Sequence, residues 1–230
     1  MTAAAAMVDT VMTSRQLRTA AAIVAIAYMA IQGFQEYVYR TLGDAATPAA
    51  SLALGAHPLH IVRSTAMLAA MFGLVFLYGA ICLQRVRERP VLAGFTFLSF
   101  LLFGLLEIGL RSIELIWTQL ELPAAYARAP DPAILAQVAT FEAVQHALYL
   151  PLGFAVLLGS TLSVWLFATG RPIDRLIQAA FALHVLRNAT RLLTSYAGLP
   201  LFPGAAYEAA YFPMVVAFYA PVAYWFVKRR

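Results

Sequence analysis

Glu107, Arg111 and Glu114 stand four and then three residues apart, inside the long apolar stretch from Phe95 to Leu120. On a helix that spacing puts all three on one face. A charge at membrane depth costs about 2.5 to 17 kcal/mol when it faces lipid, so this stripe must look into protein or water. A glutamate in a dry pocket is pushed toward its protonated form and can act as a general acid. Glu142 and His146, again four apart, suit an acid–base dyad in which the carboxylate fixes the imidazole tautomer and the free nitrogen moves a proton. His184 precedes Arg187, Asn188 and Arg191, and two guanidiniums on one face would grip a carboxylate, a phosphate or an anionic head group. With no ligand present, Glu107 and Glu142 are the expected partners of these arginines. Glu36 and Arg40 lie on a further stripe with Tyr28 and Gln32, while Arg63, Glu208, Tyr207 and Tyr211 sit at helix starts. The expected catalytic set is Glu107, Glu142, His146 and His184. The expected substrate-binding set is Glu36, Arg63, Arg111, Glu114, Arg187, Asn188, Arg191 and Tyr211.

Other chemistries compete for these residues. An ion-pair network that only fastens helices is the plainest alternative, although desolvation makes buried pairs poor stabilisers and small-residue packing would serve at lower cost. His57 and His60 have a metal-like spacing, but a zinc site needs three or four ligands, so no metal is expected. A haem between His146 and His184 lacks a supporting motif, and no cofactor is expected. Asn188-Ala189-Thr190 fits a glycosylation pattern yet falls inside an apolar helix. The single cysteine, Cys82, excludes an internal disulfide and a thiol metal cluster.

These side chains need apolar helices to position them. The chain is 62% hydrophobic and 12% charged, about half the charge of a soluble domain. Runs of about twenty apolar residues indicate an all-α, polytopic transmembrane bundle forming one domain. Six spans are expected, at about 17–40, 59–84, 91–120, 133–169, 174–197 and 206–227. The segments Thr41–Pro58 and Glu121–Pro132 read as loops, Pro151 as a kink or the edge of a surface piece, and Asp174 as the cap of the fifth helix. Met1 to Arg18 reads as a short tail before an uncleaved helix. Arginines and lysines gather at alternate connections: Arg15 and Arg18; Arg85, Arg87 and Arg89; Arg171 and Arg175; Lys228, Arg229 and Arg230. That places both termini in the cytoplasm. Trp117, Trp165 and Trp225 fall near helix ends, as in an aromatic belt. The net charge of +5 is spread over these short connections, so no nucleic-acid partner is expected. On this register, ionisable groups from all six helices share the outer half of the membrane, and the cytoplasmic halves are almost purely apolar.

A resemblance adds to this. Gly43-Asp44-Ala45-Ala46, His60-Ile61-Val62-Arg63, Gln145-His146 with the Leu152-Gly153 and Leu158-Gly159 steps, and Tyr224-Trp225-Phe226-Val227-Lys228 follow in order along most of the chain. In that order the chain resembles a bacterial family of six-helix membrane proteins catalogued as domain of unknown function 4386. The resemblance implies a six-helix bundle in a bacterial inner membrane and brings no chemistry.

The expected function is therefore an intramembrane enzyme. It would act by acid–base chemistry (isomerisation, cyclisation or hydrolysis) on a lipophilic or amphiphilic substrate in a polar cavity of the periplasmic half. The alternatives are a binding or transport protein for an amphiphilic solute, and a haem-bearing protein. A transporter would show inverted repeats and helices broken at the midplane, and Pro151, Pro213 and Pro221 form no matched pairs. Membrane lipids are expected partners, and a homo-oligomer is compatible with the pattern.

Overall fold

The computed structural model describes residues 14–43, 45–199 and 204–228, with backbone alone at 14 and 204–208. Its elements are α1 (Ser14–Leu42), α2 (Pro48–Gly55), α3 (Pro58–Leu83), α4 (Pro90–Ile113), a π-helical segment (Glu114–Glu121), α5 (Leu122–Arg128), α6 (Pro132–Leu166), α7 (Pro172–Tyr196) and α8 (Gly204–Lys228). Proline opens α2, α3, α4, α6 and α7, where its missing N–H is not needed and its fixed φ suits the first turn. Gly198, at φ 63°, closes α7: the Leu199 amide returns to the Leu193 carbonyl at 3.2 Å, a bond that needs the left-handed residue between them.

Five helices are long and apolar enough to cross a membrane: Arg15–Leu42, Pro58–Leu83, Pro90–Arg128, Pro132–Leu166 and Ala209–Lys228. This all-helical chain has the make-up of a multi-pass membrane protein. The long helices form a closed ring in the order α1, α3, α4, α6, α7, α8, with α8 packed back on α1. Short connections make successive long helices antiparallel. Outward faces are apolar: on α4, Val91, Phe95, Leu98, Leu102 and Leu105 are each at least half exposed. Polar side chains turn inward, the inverse of a soluble bundle. Where helices approach closely, glycine permits it; a Cβ on Gly104 of α4 would collide with Val75 Cγ2 of α3.

Several expectations change. The segment 41–58 contains α2, and 121–132 contains α5, which continues from α4 through the π-helical turns. Helical structure runs unbroken through Pro151 from Pro132 to Leu166. Asp174 is not a cap, because Arg171 holds that position; it is buried one turn in. Trp225 is no belt residue: it is fully buried and donates to Asp174 Oδ1 at 3.1 Å.

The end carrying the α3–α4 and α6–α7 connections is also less apolar than expected. Buried Arg85 bonds Asp174, and Asp174 accepts from Thr169 as well at 2.6 Å. Arg85 pairs with Glu88 at 2.8 Å, and Arg89 donates to the carbonyls of Trp165 and Ala168. Two turns and the end of α8 are thereby tied together. The main apolar core lies beside this tie. In it Tyr78 stacks on Phe100 at 3.8 Å and Phe167 on Phe181 at 6.2 Å, while Trp225 meets Phe167 and Phe218 meets Phe181 edge-on.

Candidate functional site

Beyond that aromatic core, toward the end that carries the C-terminus of α1, the ring is hollow. A cavity of about 840 Å³ is lined from all six long helices, among them Gln32, Glu36 and Arg40 of α1, Met67 and Met71 of α3, and Tyr211 of α8. A smaller inner chamber of about 50 Å³ lies deeper, bounded by Tyr78, His184, Arg187, Asn188 and Tyr219. Tyr28, Phe103, Glu107, Tyr149, Arg191 and Tyr211 line both spaces and mark their junction.

The stripe on α4 behaves as its spacing predicts. Arg111 Nε lies 3.3 Å from Glu107 Oε2, and its Nη1 lies 2.7 Å from Glu114 Oε2. The row then leaves α4: Glu114 Oε1 accepts from Arg63 Nη2 of α3 at 2.7 Å. Arg63, 2% exposed, also donates to Tyr39 at 2.6 Å and to Ser64 at 2.8 Å. Glu107, Arg111, Glu114 and Arg63 thus alternate in sign, so their charges cancel over a short row, as desolvated charges must. Arg63 stands behind the wall and does not line the cavity. The π-helical turns begin at Glu114. Their five-residue spacing brings Gln119 beneath Glu114, to which its amide donates at 3.3 Å.

Glu107 is the exception within this row. It is 8% exposed, and its Oε2 lies in ionic contact with Arg111 but makes no hydrogen bond. Oε2 is turned to the Arg111 guanidinium, and the Glu107 side chain as a whole lines both spaces.

His184 lies on the chamber wall, stacked on Phe218 at 4.2 Å. One ring nitrogen meets Ser160 Oγ at 2.9 Å and the other meets Arg187 Nη2 at 3.1 Å. A guanidinium can only donate, so the second nitrogen is an acceptor and the ring is neutral. Both nitrogens are thus engaged by neighbouring side chains, which fixes the ring in the chamber wall. Arg187 also lies over the Tyr211 ring at 5.5 Å, and Arg191 over the Tyr149 ring at 5.1 Å. Neither meets Glu107 or Glu142, the partners expected of them. Asn188 is buried and bonds back to the His184 carbonyl at 2.7 Å.

The Glu142–His146 dyad is not formed. Both side chains are exposed and line neither space; His146 stacks on Tyr196 at 4.7 Å. Gln145 and Tyr149 line the cavity instead; Glu142 shares a face with Tyr149 but stands two turns nearer the start of α6. His146 is exposed and His184 buried, on different faces of the bundle. Glu36 pairs with Arg40 at 2.7 Å near the mouth of the cavity. The side chains of Tyr207 and Glu208, and Asp44, lie outside the described residues. No group of three or more metal-ligating His, Cys, Asp or Glu occurs among the described residues.

Two tyrosines, Tyr78 and Tyr219, are the part that sequence reasoning missed; they share a 3.0 Å hydrogen bond at the chamber floor. Tyr28, placed by its spacing on the α1 stripe, accepts from Gln32 at 2.7 Å. Single tyrosines in apolar runs were the available signal, and only folding could distinguish them from core aromatics.

No family model, no curated protein and no solved structure matches this chain.

Proposed function

We propose that the protein is an intramembrane enzyme that takes an amphiphilic molecule into this cavity and acts on it by acid–base chemistry through Glu107. The reading is carried by Glu107 itself: a buried carboxylate, paired with Arg111, that lines both the 840 Å³ cavity and its inner chamber. A wall with charged groups on α4 and Met67, Met71 and Phe103 beside them suits a ligand that is polar on one side and apolar on the other. The four-charge row holds Arg111 fixed beside Glu107, so reaction would require little reorganisation of the site.

Six transmembrane helices with both termini cytoplasmic complete the proposal, in the bacterial inner membrane that the family resemblance implies. α7 is the sixth: Arg187 and Arg191 line the inner chamber, and Leu186 is 61% exposed on the outer side. The basic connections then lie at the cytoplasmic end, and the cavity opens toward the periplasm. Binding without chemistry is the second reading, favoured by the fully paired state of Glu36 and Glu114. Transport is less favoured, because the aromatic core and the Arg85–Asp174 tie close the opposite end.

The test uses purified protein in detergent, screened by thermal shift and native mass spectrometry against alcohols, ketones, fatty acids and lipids. Ligands of the cavity should lose their effect in Met71→Trp. Glu107→Gln should keep both melting temperature and binding while turnover falls about a hundredfold or more. Turnover unchanged by Glu107→Gln would sink the enzymatic reading, and the absence of any cavity ligand would sink both readings.

A further inference from the structure

The expected acid–base dyad of Glu142 and His146 is not formed, yet the junction holds a proton-bearing group beside Glu107. Tyr149 of α6 lines both spaces beside Glu107. Its hydroxyl oxygen accepts from Arg111 Nη2 at 3.3 Å and from Gln145 Nε2 at 3.4 Å, while the Arg191 guanidinium lies over its ring at 5.1 Å. A phenol oxygen has two lone pairs and one hydrogen. With both lone pairs occupied, its hydrogen is left to donate, and no acceptor for it stands among the described residues. Across the same guanidinium, Glu107 turns Oε2 to Arg111 Nε, and its side chain lines both spaces as Tyr149 does. Arg111 touches both groups at 3.3 Å. One small functional group of a bound molecule can therefore engage both.

We infer that Glu107 and Tyr149 are a base–acid couple for a proton-shift isomerisation, and that the ligand carries a carbonyl next to an acidic C–H. This rests on the enzymatic reading of the cavity and names its substrate class. Glu107 takes the proton from the carbon beside the carbonyl, and the C–H electron pair becomes a C=C bond. The carbonyl π pair moves to oxygen, which takes the Tyr149 proton. The tyrosinate so formed is stabilised by Arg111 bonded to its oxygen and by Arg191 over its ring. Reversal returns the enol proton to Tyr149 and the Glu107 proton to the original carbon or to a conjugated one, so both residues are restored. An aliphatic ketone or enone fits; an alcohol without a carbonyl offers nothing for the tyrosine to protonate.

The experiment reads the first half of this cycle directly. Purified full-length protein is incubated with 2-decanone in D2O, and deuterium uptake at the two carbons flanking the carbonyl is followed by NMR. Binding of the same ketone is measured separately by thermal shift. Wild type should exchange well above detergent alone. Glu107→Gln and Tyr149→Phe should each lower exchange by about a hundredfold or more while the ketone still shifts the melting temperature. Replacing Tyr149 with 3-fluorotyrosine, which keeps the packing and acidifies the phenol, should move the alkaline limb of the exchange profile to lower pH. Bound ketone without exchange, or Tyr149→Phe as fast as wild type, overturns the couple and leaves amphiphile binding intact. A ketone that fails to bind when other amphiphiles do overturns the substrate class, and failure of every amphiphile overturns the cavity reading as well.

Discussion

Arg63 has the highest stakes of any single side chain, because it is fully desolvated and holds three elements at once. Its guanidinium reaches Glu114 at 2.7 Å, Tyr39 of α1 at 2.6 Å and Ser64 of its own helix at 2.8 Å. Arg63→Met leaves Glu114 with Arg111 alone and strands Tyr39, and should cost about 3 kcal/mol, the lower end for a broken buried pair. Arg63→Met with Glu114→Gln removes both charges and should recover most of that loss, read by chemical or thermal unfolding in detergent. At this scale the sequence was partly legible. The spacing of Glu107, Arg111 and Glu114 gave their shared face, because helical period alone dictates it. The same reasoning failed for Glu142 and His146: four-residue spacing says that two side chains neighbour each other, not which side of the helix meets the ring's interior. Gln145 and Tyr149 line the cavity, and Glu142, two turns before Tyr149 along the same face, does not reach it.

Among the elements, α3 and α4 form the wall on which the charged row is mounted. Their approach depends on Gly104, whose missing Cβ leaves room for the β-branched Val75. Gly104→Ala should therefore destabilise by about 1–3 kcal/mol, and adding Val75→Ala should relieve it. A double-mutant cycle on melting temperature checks this. Beyond α4 the π-helical turns re-aim the chain, so that Gln119 supports Glu114 and α5 continues as a short cap. Hydropathy located the long helices because outward apolar faces dominate composition. It gave no sign of the π-helical turns, of α2 or of α5, since these depend on tertiary contacts and on side-chain hydrogen bonding instead of on period. α7 illustrates the limit from the other side: its inward polar residues dilute the apolar signal that marks the other long helices.

For the whole molecule, the two ends of the ring differ in kind. One is hollow and polar, the other filled with aromatic rings and tied by Arg85 and Asp174. Accessibility measures that difference. In a Cys82→Ala background, Ala209→Cys at the cavity wall should react with a membrane-impermeant thiol reagent added from the periplasmic side. Ser163→Cys, fully buried on α6, should stay unmodified from either side. Asp174→Asn should lower the melting temperature, because Arg85 would then be a buried cation facing a neutral amide. The alternation of basic connections was readable from sequence alone. The tie beneath them was not, because Arg85 and Asp174 look like ordinary members of that basic end until the turns fold together.

The aromatic floor has an energetic corollary. A site that draws a proton from one side and releases it to that same side moves no net charge through the transmembrane field. The roughly 2.3 kcal/mol per charge per 100 mV that drives or opposes vectorial steps then drops out of its cycle. Turnover in reconstituted vesicles should follow the acidity of the compartment at the open end and stay constant when the voltage is collapsed with an ionophore.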